Sequence, residues 1–362
     1  MPEAAGISNN NSAALARSLV LAHGWNSTSF QIVNPGINRW FTPDGDGVVG
    51  YVCANKMRIV VGAPVCEGGR LAVIATEFEA EAKAAGEKVC YFGAEERLGS
   101  VYADSPAHTH FLIGAQPSWN LDRWPVIVDS HRSLRAQLNR AKNKGVTVTE
   151  WDTERATGDR RLEECLHAWL DSKGLPPLHF MIEPETLSRL DGRRIFVAER
   201  AGHVEGFVVV SPIAKRNGWL FEQFPHRPGA ANGTVELMIH TAMSSLNADG
   251  FEYATLGLSP LSKRAAVATT NEPLWLKILL GWLRTHAKRF YNFEGLDNFK
   301  AKLRPDGWEP VYAISNETRV SFRTIYGITS AFSGGSPFGL LARTILKAAA
   351  TEIRWLRGRF IK

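Results

Sequence analysis

Long apolar runs are missing from these 362 residues. No stretch approaches the roughly 20 apolar residues that a spanning helix needs, so no transmembrane segment is expected. Residues Met1 to Ala14 show no basic segment leading into an apolar core and a cleavage site, so no secretion signal is expected. Cysteine is scarce: Cys53, Cys66, Cys90 and Cys165 form no C-x-x-C pair and no zinc-ligand spacing. Each lies among apolar neighbours, as small core hydrophobes do in a reducing compartment. The ten histidines make no H-E-x-x-H or similar ligand pattern, and no serine occupies a G-x-S-x-G elbow. The sequence therefore offers no metal, no redox cofactor and no serine nucleophile.

What is present is a folded chain with an ordinary apolar fraction, long enough for two domains. A net charge of +6 and an isoelectric point near 9.2 favour polyanionic partners, either nucleic acid or an anionic membrane surface. Two stretches repeat one order of elements. In the first, strands at Gly47–Val52 and Met57–Gly62 precede a helix over about Leu71 to Ala85 and a strand from Lys88 to Phe92. In the second, strands at Arg194–Glu199, Gly206–Val210 and Gly218–Phe224 precede a helix over about Val235 to Asp249 and a strand from Phe251 to Leu258. Gly86 and Gly93 recur as Gly250 and Gly257, both pairs offset by 164 residues. With the matching element order, that spacing indicates a tandem duplication. Strand hairpin, strand, helix, strand is the order of an acetyltransferase-like (GNAT) fold, so the expected class is α/β (α+β) with mixed central sheets flanked by helices.

Four segments carry candidate chemistry. Ser130–Gly145 opens on a serine cap, ends on glycine and carries Arg132, Arg135, Arg140, Lys142 and Lys144. A solvated helix face and a phosphate-backbone track both fit it. The loop Pro225–Thr234 runs into a helix, with Arg227, Asn232, Gly233 and Thr234 beside a helix N-terminus suited to an anion or an oxyanion. A glycine-rich turn capped by Thr234 is the plainer alternative. Glu236 falls in the first turn, where it complements the helix dipole or handles a hydroxyl proton. The run Phe290–Tyr312 contains Lys300, Lys302 and Arg304. The two lysines share a face if extended and lie about 200° apart if helical. Near the end, Phe338–Lys362 alternates Leu340, Leu341, Ile345, Leu346, Ile353, Trp355 and Leu356 with Arg343, Lys347, Arg354, Arg357 and Arg359. It suits an interfacial membrane anchor or a terminal helix packed on the core, behind a hinge at Ser333–Pro337.

The run Phe290–Tyr312, with Gly174–Phe180, Asn232–Glu236 and Tyr253–Leu261, resembles the catalytic domain of bacterial aminoacyl-phosphatidylglycerol synthases over about Phe30 to Ile314. These are DUF2156-type domains of the phosphatidylglycerol lysyltransferase kind, built from two GNAT-like halves. The resemblance implies an aminoacyltransferase that takes an amino acid from aminoacyl-tRNA and esterifies a phospholipid headgroup such as phosphatidylglycerol. It implies a stand-alone catalytic portion without the membrane-embedded flippase half of many relatives. The location implied is the cytoplasm, with peripheral attachment to the inner face of the membrane.

The resemblance also implies catalytic roles for Glu236, Lys300 and Lys302. Many relatives have an essential aspartate where Glu236 stands, and the K-x-K/R pattern is kept at the two lysines. Arg227, Asn232, Gly233, Thr234 and Arg304 would bind substrate, and Arg132, Arg135, Arg140 and Lys142 would bind tRNA. The compact R-x-x-G-x-[GA] pattern that holds the pyrophosphate of coenzyme A is not met, because Ala230 stands three places after Arg227. The expectation is accordingly no cofactor, with coenzyme A a disfavoured option. His226 and His131 lie nearest these sites and read as surface or capping residues.

The expected organisation is a flexible N-terminus over 1–20, a degenerate GNAT-like domain over 21–128, a catalytic one over 129–316, and a hinge with a basic amphipathic helix over 317–362. Two alternatives stay open: a GNAT-fold acyltransferase serving a soluble amine, peptide or natural product from an aminoacyl-tRNA or acyl-CoA donor, and a non-catalytic binder of tRNA or membrane.

Overall fold

The computed structural model describes residues 9–172, 180–181, 186–265 and 293–333, and one mixed sheet runs through them. Helix α1 (Asn9–His23) buries Ala16, Leu19 and Val20, so the N-terminus expected to be flexible is ordered from residue 9 onward. Apolar residues at helical spacing give it a packing face. Strands β1 (Asn38–Phe41), β2 (Val48–Ala54) and β3 (Met57–Val61) follow as an antiparallel meander. Helix α2 (Leu71–Ala84) then crosses to β4 (Lys88–Ala94), which pairs parallel to β3. Leu71, Ile74, Ala75, Phe78 and Ala82 form the buried stripe of α2 and pack on Val89 and Tyr91. Helix α3 (Glu96–Tyr102) and the twelve-residue strand β5 (Thr109–Asn120) complete the first half.

Helices α4 (Trp124–Ser130) and α5 (Arg132–Asn143) lead to edge strand β6 (Thr147–Trp151), then α6 (Thr153–Ala156) and α7 (Arg160–Ser172). The second meander is β7 (Arg194–Arg200), β8 (His203–Ile213) and β9 (Gly218–Gln223). Helix α8 (Thr234–Ala248) crosses to β10 (Tyr253–Thr255), which pairs parallel to β9. The short β11 (Ser259–Pro260), helix α9 (Phe293–Lys302), strand β12 (Gly307–Ser315) and helix α10 (Phe322–Ser333) close the described chain.

The repeat is real in three dimensions. Helices α2 and α8 end at Ala84 and Ala248, and Gly86, Gly93, Gly250 and Gly257 all have left-handed φ, between 67° and 82°. Glycine takes that conformation without steric cost, which is why it marks both helix ends and both strand ends.

The halves also exchange strands. The spatial order is β1-β2-β3-β4-β12-β5-β10-β9-β8-β7-β6, so β12 of the second half lies on β4 of the first, and β5 of the first lies on β10 of the second. Strands β5 and β12 pair antiparallel with each other over Gly307–Ser315. The boundary expected at residue 129 falls inside α4, and one sheet continues on both sides of it. An ionic cluster lies across this seam. Arg216 reaches Glu309 at 2.5 Å and Glu95 at 3.4 Å and stacks on Tyr253 at 3.6 Å. Of the run Phe290–Tyr312, residues 290–292 lie outside the described residues, and Phe293 opens α9. Most of Gly174–Phe180 and the proposed hinge and tail beyond Ser333 also lie outside them.

Candidate active site at the N-terminus of helix α8

The loop between β9 and α8 is pinned to β8 by its own backbone. Phe207 N–H donates to Pro225 O (2.9 Å), Arg227 N–H to Glu205 O (2.8 Å), and Gly206 forms a β-bridge with His226. A Cβ on Gly206 would stand 2.8 Å from Pro225 O and 3.1 Å from His226 Cβ, so only glycine lets the loop lie this close. Glu205, buried among these strands, accepts Ala231 N–H (3.1 Å) and pairs with Arg200 (2.8 Å). It was not apparent from sequence, because a single acid in a strand gives no sign that it holds a distant loop.

Helix α8 starts on Gly233, with φ of 95°. The expected capping role of Thr234 is corrected: its hydroxyl donates back to Ala231 O (2.7 Å), and Gly233 holds the N-cap position. A Cβ on Gly233 would fall 2.2 Å from Gln137 O, so helix α5 lies directly against the start of α8. Within the described residues, the N–H groups of Val235 and Glu236 have no acceptor. This is the usual condition of a first helical turn, and it leaves the positive dipole end available.

These elements enclose a cavity of about 320 Å³. Gln137 and Arg140 of α5 form one wall, His226 and Ala230 another, and the turn Ala231–Glu236 forms the floor. Of the residues singled out from sequence, the fold thus gathers Arg140, Asn232, Gly233, Thr234 and Glu236. The Glu236 carboxylate is half-buried and makes no hydrogen bond or ion pair to any described residue. Arg140 is exposed, and among the described residues its guanidinium hydrogen-bonds Gln137 Oε1 at 3.4 Å. His226 donates from Nδ1 to Phe224 O at 2.8 Å. A carbonyl only accepts, so this bond assigns the proton to Nδ1 and leaves Nε2 as the acceptor nitrogen when the ring is neutral.

The other predicted residues lie elsewhere. Arg227 donates from Nε to Val204 O (2.8 Å) and faces Glu164 at 3.6 Å, so it anchors the loop instead of lining the cavity. Arg135 caps the preceding helix through Val128 O and Asp129 O. Arg132 and Lys142 are exposed at other points of α5. Lys142 and burial together hold the His240 imidazole below its ordinary range, burial being the larger cause, and His240 Nδ1 accepts Trp124 Nε1–H at 3.2 Å.

Lys300 is the sharpest departure. Its side chain is buried, and Nζ donates to Gly257 O (2.8 Å) and Leu258 O (2.9 Å), fastening α9 to the corner after β10. Burial pushes its pKa down to about 7, opposed by Asp297. It is therefore not presented to a phosphate, and since α9 is helical, Lys302 projects about 200° away from it. Lys302 and Arg304 are exposed at the C-terminal end of α9. That helix lies against the residue where the loop begins, Phe299 packing on Phe224 with ring centroids 6.5 Å apart.

Two duplicated halves joined by exchanged strands, with a cavity at the N-terminus of the helix after the meander, define a tandem GNAT-fold protein. The chain belongs to the family of phosphatidylglycerol lysyltransferase C-terminal domains, which matches residues 17–315. It is 22% identical over 294 residues to a phosphatidylglycerol lysyltransferase of Bacillus subtilis, covering 80% of this chain and 33% of that protein. The curated relatives it matches are much longer, the chain spanning 38% and 33% of their lengths. Among solved structures, a domain assigned as the C-terminal part of a lysylphosphatidylglycerol synthetase from Agrobacterium fabrum superposes with a TM-score of 0.77 at 20% identity. That match covers 91% of this chain and 99% of the other. L-PGS from Bacillus licheniformis superposes at 0.70 and 18% identity, covering 93% and 96%. Among the described residues no helix is long and apolar enough to cross a membrane, and no group of three or more His, Cys, Asp or Glu side chains is placed to hold a metal ion.

Proposed function

We propose that this chain transfers an aminoacyl group from aminoacyl-tRNA to the headgroup of a phospholipid such as phosphatidylglycerol, in the cavity at the start of α8. The observation that carries the reading is the cavity itself: two N–H groups without an acceptor, an arginine without a carboxylate partner and a carboxylate without a cation, each so among the described residues, around one space in a chain of the lysyltransferase family.

The donor is an activated ester, so direct transfer needs neither a covalent enzyme intermediate nor a cofactor. The acceptor hydroxyl attacks the ester carbonyl. The tetrahedral oxyanion that forms is stabilised by the Val235 and Glu236 N–H groups, the dipole of α8 and Arg140. Glu236 orients the acceptor, a role in which a fixed geometry lowers the barrier by removing the search for it. Arg132 and Lys142 of α5 and Lys144 just after it are exposed cations that suit the phosphates of an acceptor arm, and Lys302 and Arg304 add exposed cations at the end of α9. Peripheral attachment to an anionic membrane belongs to the same proposal.

Incubating the purified protein with phosphatidylglycerol vesicles and a mixed pool of radiolabelled aminoacyl-tRNAs tests this. Label in the organic-extractable lipid is expected. Label that leaves tRNA but stays in water would replace the lipid with a soluble acceptor. Label retained on tRNA, with acyl-CoA donors equally inert, would reject the transferase reading in favour of a non-catalytic binder.

A further inference from the structure

We propose that His226 is the catalytic base of this cavity, taking the proton of the attacking hydroxyl on Nε2 and returning it to the leaving hydroxyl. The inference rests on the acyl-transfer reading above and adds to it the group that moves the proton.

Three observations converge on this residue. His226 lines the cavity together with Arg140 and the first turn of α8. Its Nδ1–H is engaged by Phe224 O at 2.8 Å, which fixes both the ring plane and the tautomer. No hydrogen bond from Nε2 to a described residue competes for its lone pair. An imidazole held by one nitrogen and free at the other is the arrangement general-base catalysis requires.

The backbone around the ring supports the same role. The His226 main chain is bridged to Gly206, where a Cβ would reach to 3.2 Å from His226 Cα, so the ring is placed by contacts on two strands. Its electrostatic surroundings are Arg140 on α5, Glu236 on α8, Arg227 next in the loop with Glu164 of α7, and Glu205 paired with Arg200 on β7 and β8. A carboxylate such as that of Glu236 is less suited to the task, being intrinsically a weaker base than an imidazole.

The step balances without any further reactant. As the acceptor oxygen bonds to the ester carbonyl carbon, its proton passes to His226 Nε2. When the tetrahedral intermediate collapses, the bond to the ribose oxygen of the terminal adenosine breaks, and that oxygen takes the proton from Nε2. The imidazole returns to its starting form, still donating from Nδ1 to Phe224 O.

His226→Asn is the informative variant, because its amide nitrogen can replace Nδ1 at Phe224 O while removing the basic nitrogen. We expect kcat for transfer from labelled aminoacyl-tRNA to phosphatidylglycerol vesicles to fall about 10²- to 10⁴-fold with KM little changed. The acid limb of the pH–rate profile should vanish while the thermal melt stays that of the wild type. A variant with near wild-type kcat, or with its acid limb intact, would overturn the assignment while leaving the transferase reading standing. A wild type inactive with every aminoacyl-tRNA would remove both. Independently of turnover, ¹⁵N NMR of the His226 ring should show the neutral form protonated at Nδ1, and protonation at Nε2 would overturn the proposal.

Discussion

The contact between α5 and the start of α8 can be tested by two glycine substitutions in one loop. Gly229 and Gly233 both have left-handed φ, 88° and 95°, so alanine at either position carries a backbone cost of about 1–2 kcal/mol. They differ in surroundings. A Cβ at 229 meets nothing within 4 Å, whereas a Cβ at 233 would lie 2.2 Å from Gln137 O and 3.4 Å from Ala141 Cβ. Relieving that overlap requires α5 to retreat by about 1 Å, and overpacking of this kind costs about 1–3 kcal/mol. Gly229→Ala should therefore destabilise by about 1–2 kcal/mol and Gly233→Ala by about 2–5 kcal/mol. Urea unfolding midpoints of the wild type and both variants, compared at constant slope, measure the difference. Because Arg140 rides on α5, Gly233→Ala should also weaken substrate binding while Gly229→Ala leaves it nearly unchanged. Equal midpoints for the two variants would refute the close approach of α5, and with it the account of the cavity wall.

Further expectations concern charge. Replacing Arg216 by Met leaves Glu95 and Glu309 facing each other at the seam without their cation; stability should fall by about 3 kcal/mol, read by chemical denaturation. Lys300 has a folded pKa of about 7, below its unfolded value, so between these two pH values the unfolded state binds more protons and stability rises with pH. Relative to Lys300→Met, the wild type should gain up to about 1.4 kcal/mol per pH unit from about pH 7 to pH 10. Parallel stability profiles would show that burial does not lower the Lys300 pKa. Glu236→Gln should lower kcat for lipid aminoacylation about 100-fold while leaving the melt unchanged. Combined alanine substitutions at Arg132, Arg140 and Lys142 should reduce the salt dependence of tRNA affinity by about 2 in the log–log slope; an unchanged slope would move the tRNA track off α5.

Much of the architecture is local and so was legible. The alternating strands, the helices α2 and α8 and the glycines at their ends all announce themselves within windows of a few residues. The family signature placed the chain as well. Strand exchange was not legible, because partner choice in a sheet is made between segments far apart in sequence. Strand β5 illustrates why: Pro117 argues against a central strand, since it has no N–H to donate. The fold accommodates it between the stretches where β11 and β10 pair with β5, and Pro117 O accepts the Thr255 hydroxyl at 2.7 Å.

The site was legible to the same extent. Its glycine loop and Glu236 are sequence-adjacent, and the basic helix was recognisable, but only Arg140 of its cations lines the cavity. Lys300 was expected to act on substrate because a charge run gives no sign that backbone carbonyls will bury one member. His226 stood in the marked loop, yet only the bond to Phe224 O distinguishes it from a polar surface residue.

The central claim is that the ester of the donor sits at the N-terminus of α8. A crystal structure with a hydrolysis-resistant 3′-aminoacylamido-adenosine tests it most directly. The account predicts the amide carbonyl oxygen within hydrogen-bonding distance of the Val235 or Glu236 N–H, with Arg140 alongside. The analogue bound elsewhere, with this cavity empty, would contradict it.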